Sequence, residues 1–389
     1  MMSSMTHTDR YQGIDVIRGL AIVLMALDHI RDYWAPTAFS TLDLSHTSPA
    51  WFMTRWITHF CAPAFIFLAG VSAYLQLAKQ GDKMALSRYL LLRGLWLVLL
   101  EIVVVNISWK AALPIDYLWL QVIWVIGLSM IFCAAAIWLP VLPLALLAVI
   151  MVAGHDLLNG IQPTDGWQWW WHILHQRGGF EVFNSGYHFF IAYPLLPWPG
   201  VMLLGYLLGH LYVKYPQHIV PWTTLLGGAS LCLFIVLRAW GQYGDPSPYL
   251  AQSTSVFSIL SFLNVSKYPA SLQFIAITLG LCLLLMAFAQ RFQFWGASIL
   301  ATFGKVPLFF YLLHIPLIHL SSQIWTALNY GNAVNMLTAG SDDWPVGYEP
   351  ALWRAYLVWA VFLIGMYFLC RAYWRVKSTR RDVWLLRWI

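Results

Sequence analysis

Charge is what this sequence has least of. Asp, Glu, Lys and Arg together make up 10% of the residues, and hydrophobic residues make up 60%. A soluble domain carries roughly 25% charged residues, so 389 residues with so few charges could not cover a water-facing surface. Cysteine is also scarce. Cys61, Cys133, Cys232, Cys282 and Cys370 all lie in apolar stretches, without the spacing of a disulfide framework or a metal site, and read as small packing residues. No cleavable leader is expected, because the first apolar stretch carries Asp15, Arg18, Asp28 and His29 and has no small-residue cleavage site. No period of 20–50 residues repeats, and no HxxxH pair lies on a helix, which argues against a zinc site and leaves the metal ligand set empty.

What the sequence does have is a series of apolar runs of about 20 residues, each long enough to span a hydrocarbon core. Spans are expected near 14–34, 55–78, 88–109, 117–138, 140–157, 194–214, 221–241, 269–290, 298–324 and 351–373. The fold class is therefore an all-α polytopic membrane bundle of ten or eleven helices, forming a single domain over residues 1–389. The longest connections, 157–193 and 242–268, are too apolar and aromatic to be free linkers.

The net charge of +6 does not point to nucleic acid, because the basic residues gather beside spans. Lys79, Lys83 and Arg88 follow one span, and Arg371, Arg375, Lys377, Arg380, Arg381 and Arg387 surround the C-terminal segment, of which 374–389 is read as a basic cytoplasmic tail. That is the positive-inside bias, with some contact to anionic lipid. Counting back from a cytoplasmic tail puts the N-terminus inside as well. Lys214 and Arg291 then fall inside, and the 325–350 loop, with Asp342, Asp343 and Glu349 but no Lys or Arg, falls outside. Trp167, Trp169, Trp170 and Trp171 in the external 157–193 segment fit an interfacial anchor or a platform for sugar rings. Gly200, Gly205 and Gly209 offer a small-residue face on which a second copy could pack as a homodimer.

Ionisable groups inside spans are costly and rarely kept without use. In IDVIRGLAIVLMALDHIRDYW, the residues Asp15, Arg18, Ile22, Met25, His29 and Asp32 are spaced 3, 4, 3, 4 and 3, which lays them along one helical stripe. Arg18 and His29 are then about 16 Å apart along the axis. The plain structural alternative is an Asp15–Arg18 ion pair and a histidine satisfied by a neighbour. Other spans add Arg55 and His59, with Pro63 loosening the helix after them, Glu101 and Asn106, and Lys305 and His314 bracketed by Pro307 and Pro316. With this topology His29, His59, Glu101 and His314 share the outer half of the membrane, as four titratable groups around one wet cavity would. A carboxylate neighbour can tune a histidine to accept a proton near neutral pH, and Asp28 and Glu101 are the candidate orienters.

The segments GIDVIRGLAIVLMALDHIRDYW, RWITHFCAPAFIFLAG, PLLPWPGVMLLGYLLG and GKVPLFFYLLHIPLIH resemble, in order, the heparan-α-glucosaminide N-acetyltransferase-like family of bacterial membrane proteins. The Arg18-x10-His29 pattern is also similar to the first-helix motif of acyltransferase-3 proteins. The resemblance implies a bacterial inner-membrane acetyltransferase that uses cytoplasmic acyl-CoA and a carbohydrate or glycolipid acceptor on the far side. It places His29 at the catalytic centre and Arg18 at an anionic part of the donor, with Asp15 and His314 in recurring segments. The animal members place a key histidine after the first helix. His46 occupies that connection here, in different surroundings (DLSHTSPAW), so the essential histidine stays open among His29, His59 and His46.

The residues also fit acyl transfer on their own. Arg18, Lys305 and Arg93 could hold the phosphates of acetyl-CoA. A histidine farther out could deprotonate an amine or hydroxyl acceptor or carry the acyl group itself. Asn106, Tyr311 and Arg55 are candidate donors to the oxyanion. The alternative from another class is a proton-coupled transporter that uses the same buried groups.

Overall fold

The computed structural model describes residues 12–110, 117–164, 166–181, 186–292, 294–380, 382–383, 386 and 388–389. Arg381 and Arg387, counted above in the basic tail, lie outside the described residues. The chain is mostly helical, with thirteen helices among the described residues. The first half holds α1 (Gln12–Trp34), α2 (Pro49–Gln80), α3 (Lys83–Lys110), α4 (Val122–Ala136), α5 (Val141–Ala153), α6 (Gln168–Leu174) and α7 (Pro197–Lys214). The second half holds α8 (Pro216–Trp240), α9 (Ser255–Leu263), α10 (Leu272–Arg291), α11 (Ala297–Gly304), α12 (Pro307–Tyr330) and α13 (Leu352–Thr379).

Among the described residues, α2, α3, α8, α10, α12 and α13 are the six helices long and apolar enough to cross a membrane, and α4 and α5 are shorter apolar helices. Local chemistry sets their ends. Ser48, Asp82, Thr254 and Ser271 cap helix N-termini by accepting a backbone N–H three residues on. Gly81, Gly241 and Gly331 close α2, α8 and α12 in the left-handed region.

One feature matches the loosening expected at Pro63 and two depart from the expected pattern. Residues 57–60 of α2 form a 3-10 turn, because Pro63 has no N–H to return to the carbonyl four residues earlier. The expected span 298–324 is broken between α11 and α12, where Pro307 begins a new helix. A small sheet is also present. Strand β1 (Tyr117–Leu120) runs parallel to β3 (His188–Ile191), and β3 runs antiparallel to β2 (Gly178–Glu181). These aromatic-rich four-residue stretches satisfy their backbone across strands, pairing Leu120 with Ile191 and Phe180 with Phe189.

Helix α1 carries too many charges to rank with these apolar helices, yet it is the centre of the bundle and packs against α2, α10, α11, α12 and α13. Ala21, Ile22, Ala26 and Ile30 are fully buried. It meets α11 backbone to backbone. A Cβ on Gly304 would sit 1.9 Å from the Asp15 carbonyl oxygen, and one on Gly19 would sit 1.8 Å from that of Leu300. Gly304→Val is therefore expected to force these helices apart and to lower stability by about 1–3 kcal/mol or more. A thermal unfolding midpoint equal to wild type in detergent would refute this packing. The face of α7 expected to receive a second copy is occupied within the chain, with Gly200 against Ala148, Gly205 against the Phe67 carbonyl and Gly209 against Tyr74. On α13, by contrast, Leu357, Val361, Ile364 and Phe368 form an exposed apolar stripe, as a lipid-facing helix carries.

Candidate active site

The stripe on α1 faces a row of three cavities. At one end, a cavity of about 260 Å³ is lined by Arg18, Ser72, Gln76, Arg93, Met25 and Tyr311 among others. Arg18 donates to Asp15 (2.9 Å), to the Gly304 carbonyl (3.2 Å) and to the Ser72 hydroxyl (2.8 Å). Three of its five N–H groups are thereby used, and two remain. Arg93 reaches the carbonyl of Trp388, whose indole packs against Tyr89 and Trp96, so the chain end folds back onto α3. Lys305 lies outside this cavity, exposed, with its ammonium 5.6 Å from the Trp374 ring.

The second cavity is a chamber of about 40 Å³ lined by Met25, Asp28, His29, Gln121, Lys267 and Tyr311 among others. Met25, Phe65, Val122 and Tyr311 belong to both walls. His29 Nδ1 lies 2.7 Å from His314 Nε2, and Trp109 meets the His29 ring edge-on at 5.0 Å. The proton positions follow from the partners. His314 Nδ1 faces two carbonyl oxygens, Tyr311 at 2.6 Å and Phe310 at 3.2 Å, and carbonyls only accept. His314 Nδ1 therefore carries hydrogen, and its Nε2 is the acceptor in the neutral ring. His29 Nδ1 then donates, which leaves the lone pair on His29 Nε2. No residue among those described bonds that nitrogen.

The third cavity, about 440 Å³, lies beyond the chamber and is lined by Arg31, Asp32, Thr37, Ser40, Arg55 and Trp344 among others. Between it and His29 stands a cluster of charges. Asp28 is held by Arg55 through a hydrogen bond and by Arg31 at 2.9 Å, an ion pair by distance whose angle is poor for a hydrogen bond. Arg31 also bonds Asp32 at 2.5 Å.

The structure thus places the expected residues in different settings. His29 and Asp28 line the chamber, with His314 bonded to His29 from behind, and Arg18 and Arg93 line the 260 Å³ cavity, with Asp15 bonded to Arg18. The His29 ring is oriented by His314, while the Asp28 carboxylate is taken by two guanidiniums. Glu101 is buried at the start of α4, where it accepts the backbone N–H of Gln121 and of Trp124, each at 3.2 Å. A carboxylate is favoured at this unsatisfied, positive helix end. Asn106 is engaged on both sides of its amide by Glu101 and Trp119. His59 turns away from the chamber onto the Phe274 ring, buried, with neither nitrogen paired among the described residues. His46 lies in the exposed α1–α2 connection, bonded to Asp43 and Ser45. Hydrogen bonds from Ser45 and His46 hold the Asp43 carboxyl down to about 2. Sequence reasoning missed Ser72, Gln121, Tyr193 and Lys267. Lys267 lies in the 242–268 connection, read from the sequence only as too apolar and aromatic to be a free linker.

A helical chain whose described residues include six apolar crossing-length helices is a membrane protein, and its ionisable side chains turned onto interior cavities are the candidate site. Residues 10–238, more than half of the chain, match the family model described as heparan-alpha-glucosaminide N-acetyltransferase, catalytic. The chain belongs to that family, which makes it a member of a membrane acetyltransferase family and confirms the resemblance read from the sequence. The match covers Arg18, His29 and Glu101 and ends before Lys267 and His314. No curated protein matches the chain.

Proposed function

We propose that this chain moves the acetyl group of cytoplasmic acetyl-CoA to an amine or hydroxyl of a glycan on the far side of a bacterial inner membrane. The observation that carries this reading is the wall shared by the two cavities, where Met25, Phe65, Val122 and Tyr311 line both the Arg18 cavity and the His29 chamber. A pantetheine arm running past that collar would bring a thioester from the cationic end to the imidazole. Ten crossings follow if α1, α4, α5 and α7 join the six apolar helices and α11 with α12 counts as one, with both termini cytoplasmic. Residues 1–389 then form a single domain ending in the basic segment 374–389.

The residues divide the work by position. Arg18, kept in place by Asp15, offers its two remaining N–H groups to phosphate, and Arg93 adds a second cation. Lys305, exposed, would meet the coenzyme only outside the cavity. His29 Nε2 takes the proton from the acceptor's N–H or O–H. The acceptor's freed electron pair bonds to the thioester carbonyl carbon, the C–S bond breaks, and the thiolate leaves with the proton from His29. A covalent acyl-histidine route would use the same lone pair. His314 fixes the tautomer, and Asp28 with Arg55 separates the chamber from the outer cavity, where the glycan would dock. The chamber, about 40 Å³, is far smaller than the cavities of about 260 and 440 Å³ on either side, which suits acetyl rather than longer chains. His59 and Glu101 act through packing and capping in this scheme.

The test is to give purified protein in nanodiscs labelled acetyl-CoA and glucosamine and to follow acetylated product. Arg18→Ala is expected to raise the acetyl-CoA Kd by about tenfold or more, from the loss of charge-assisted contacts, while kcat changes less than threefold. Unchanged donor affinity would leave Arg18 as Asp15's structural partner only. Absence of any thioester turnover, with ligand-driven proton flux in liposomes instead, would replace the enzyme with a transporter.

A further inference from the structure

Two hydrogen-bond donors on the chamber wall have no acceptor among the described residues. Lys267, in the connection between α9 and α10, is 8% exposed and lines the same chamber as His29. Its ammonium lies 5.7 Å from the Tyr193 ring and 5.2 Å from the Tyr268 ring, and no carboxylate or hydrogen-bond acceptor among the described residues pairs with it. Gln121 lines the chamber as well, and its Nε2 is buried without a partner. Ring faces return only part of what burying a lone ammonium costs, and a buried amide donor left unpaired is costly too. Asp28, the one carboxylate on this wall, is already matched by Arg31 and Arg55. The chamber therefore has a surplus of donors and of positive charge beside the free lone pair of His29.

Both donors are held rigidly from behind. Glu101 accepts the Gln121 backbone N–H. Asp245 accepts from the Ser266 backbone N–H and the Ser271 hydroxyl, each at 2.7 Å, on either side of Lys267. Arg238, itself buried, donates to the carbonyls of Ser247, Ser261, Phe262 and Asn264, so the segment leading to Lys267 is tied down along its length. Preorganised donors aimed at a small enclosed volume are how acyl-transfer sites stabilise a tetrahedral intermediate.

We propose that Lys267 and Gln121 form the oxyanion hole, donating hydrogen bonds to the carbonyl oxygen of the transferring acetyl group. This rests on the acetyl-transfer reading above. As the acceptor's electron pair bonds to the carbonyl carbon, the C=O π pair moves onto oxygen, where the Lys267 ammonium and the Gln121 amide meet it. When the pair returns, the C–S bond breaks and the thiolate takes its proton from His29, so neither donor gives up a proton. Of the donors suggested by sequence, Asn106 is fully engaged and Arg55 is bound to Asp28. Tyr311, on both cavity walls, is the competitor.

The experiment compares Lys267→Met, Lys267→Arg, Gln121→Leu and Tyr311→Phe in full-length protein in nanodiscs, with labelled acetyl-CoA and either glucosamine or water as acceptor. Lys267→Met is expected to lower kcat by about 100-fold, the usual effect of losing one such donor, with the acetyl-CoA KM within threefold. Gln121→Leu is expected to lower kcat by about tenfold or more, and Lys267→Arg to recover most of the loss. These effects should appear with both acceptors, because the oxyanion forms with either. Wild-type kcat in both Lys267→Met and Gln121→Leu overturns the assignment, as does a loss confined to the KM of donor or acceptor. A collapse in Tyr311→Phe alone reassigns the donor. If Lys267→Met does not fold, Gln121→Leu decides by itself. An inactive wild type removes the acetyl-transfer reading and this assignment together, whereas an active wild type with active variants removes only the assignment.

Discussion

His29→Ala is expected to lower acetyl transfer by about three orders of magnitude, within the range a positioned acid–base group supplies, while acetyl-CoA still binds with nearly wild-type Kd. The binding cations lie at the Arg18 end of α1, about 16 Å along the axis from the imidazole, so chemistry and donor affinity should separate. His314→Phe is the sharper companion. It keeps an aromatic ring at this position but removes the acceptor of the His29 Nδ1–H, leaving the His29 tautomer free. With the lone pair free to move to the wrong nitrogen, activity is expected to fall by about 100-fold, the lower end of what a positioned acid–base group supplies. Isotope-labelled His29 would report the change directly, as a mixed tautomer population in its ring ¹⁵N shifts. Full activity in His29→Ala would remove the imidazole from the reaction and return the question to His59 and His46.

The other large effect is on stability. Arg238→Met takes away a buried guanidinium that donates to four backbone carbonyls at 2.6–2.9 Å and lies 3.9 Å from Asp245. Breaking a buried charge pair from one side costs about 3–5 kcal/mol, and each carbonyl left without a donor adds to it. The expected result is a thermal unfolding midpoint well below wild type, with hydrogen exchange rising first in residues 245–271. Arg238→Lys should restore little, since one ammonium cannot span the carbonyls that the planar fork reaches. An unchanged midpoint for Arg238→Met would mean that this network does not hold the Lys267 segment.

Much of the scaffold was legible because membrane helices announce themselves locally. A run of about 20 apolar residues is a statement about hydrocarbon thickness. The stripe on α1 was legible for the same reason. Helical periodicity puts Arg18, Met25 and His29 on one face, and that face lines the cavities. Pairings between distant segments were not legible. Nothing near Asp28 in sequence announces that Arg55 will take its carboxylate, and nothing near His29 announces His314, 285 residues away. Glu101 read as a candidate orienter because a buried carboxylate is suspicious by default. Its partners turned out to be the backbone N–H groups of a helix start twenty residues on, which carry no side-chain signature.

By itself, then, the amino-acid order determined the membrane class, most of the apolar helices, the polar stripe of α1 and the family, since each depends on neighbours along the chain or on short motifs, whereas the strand Tyr117–Leu120 and the break before Pro307 fell inside expected spans. Only the tertiary structure decided which groups share a chamber, which histidine nitrogen holds a lone pair, and which donors lack acceptors. Those properties depend on contacts between segments far apart in the chain, and helical period and composition do not encode how one helix is rotated against another.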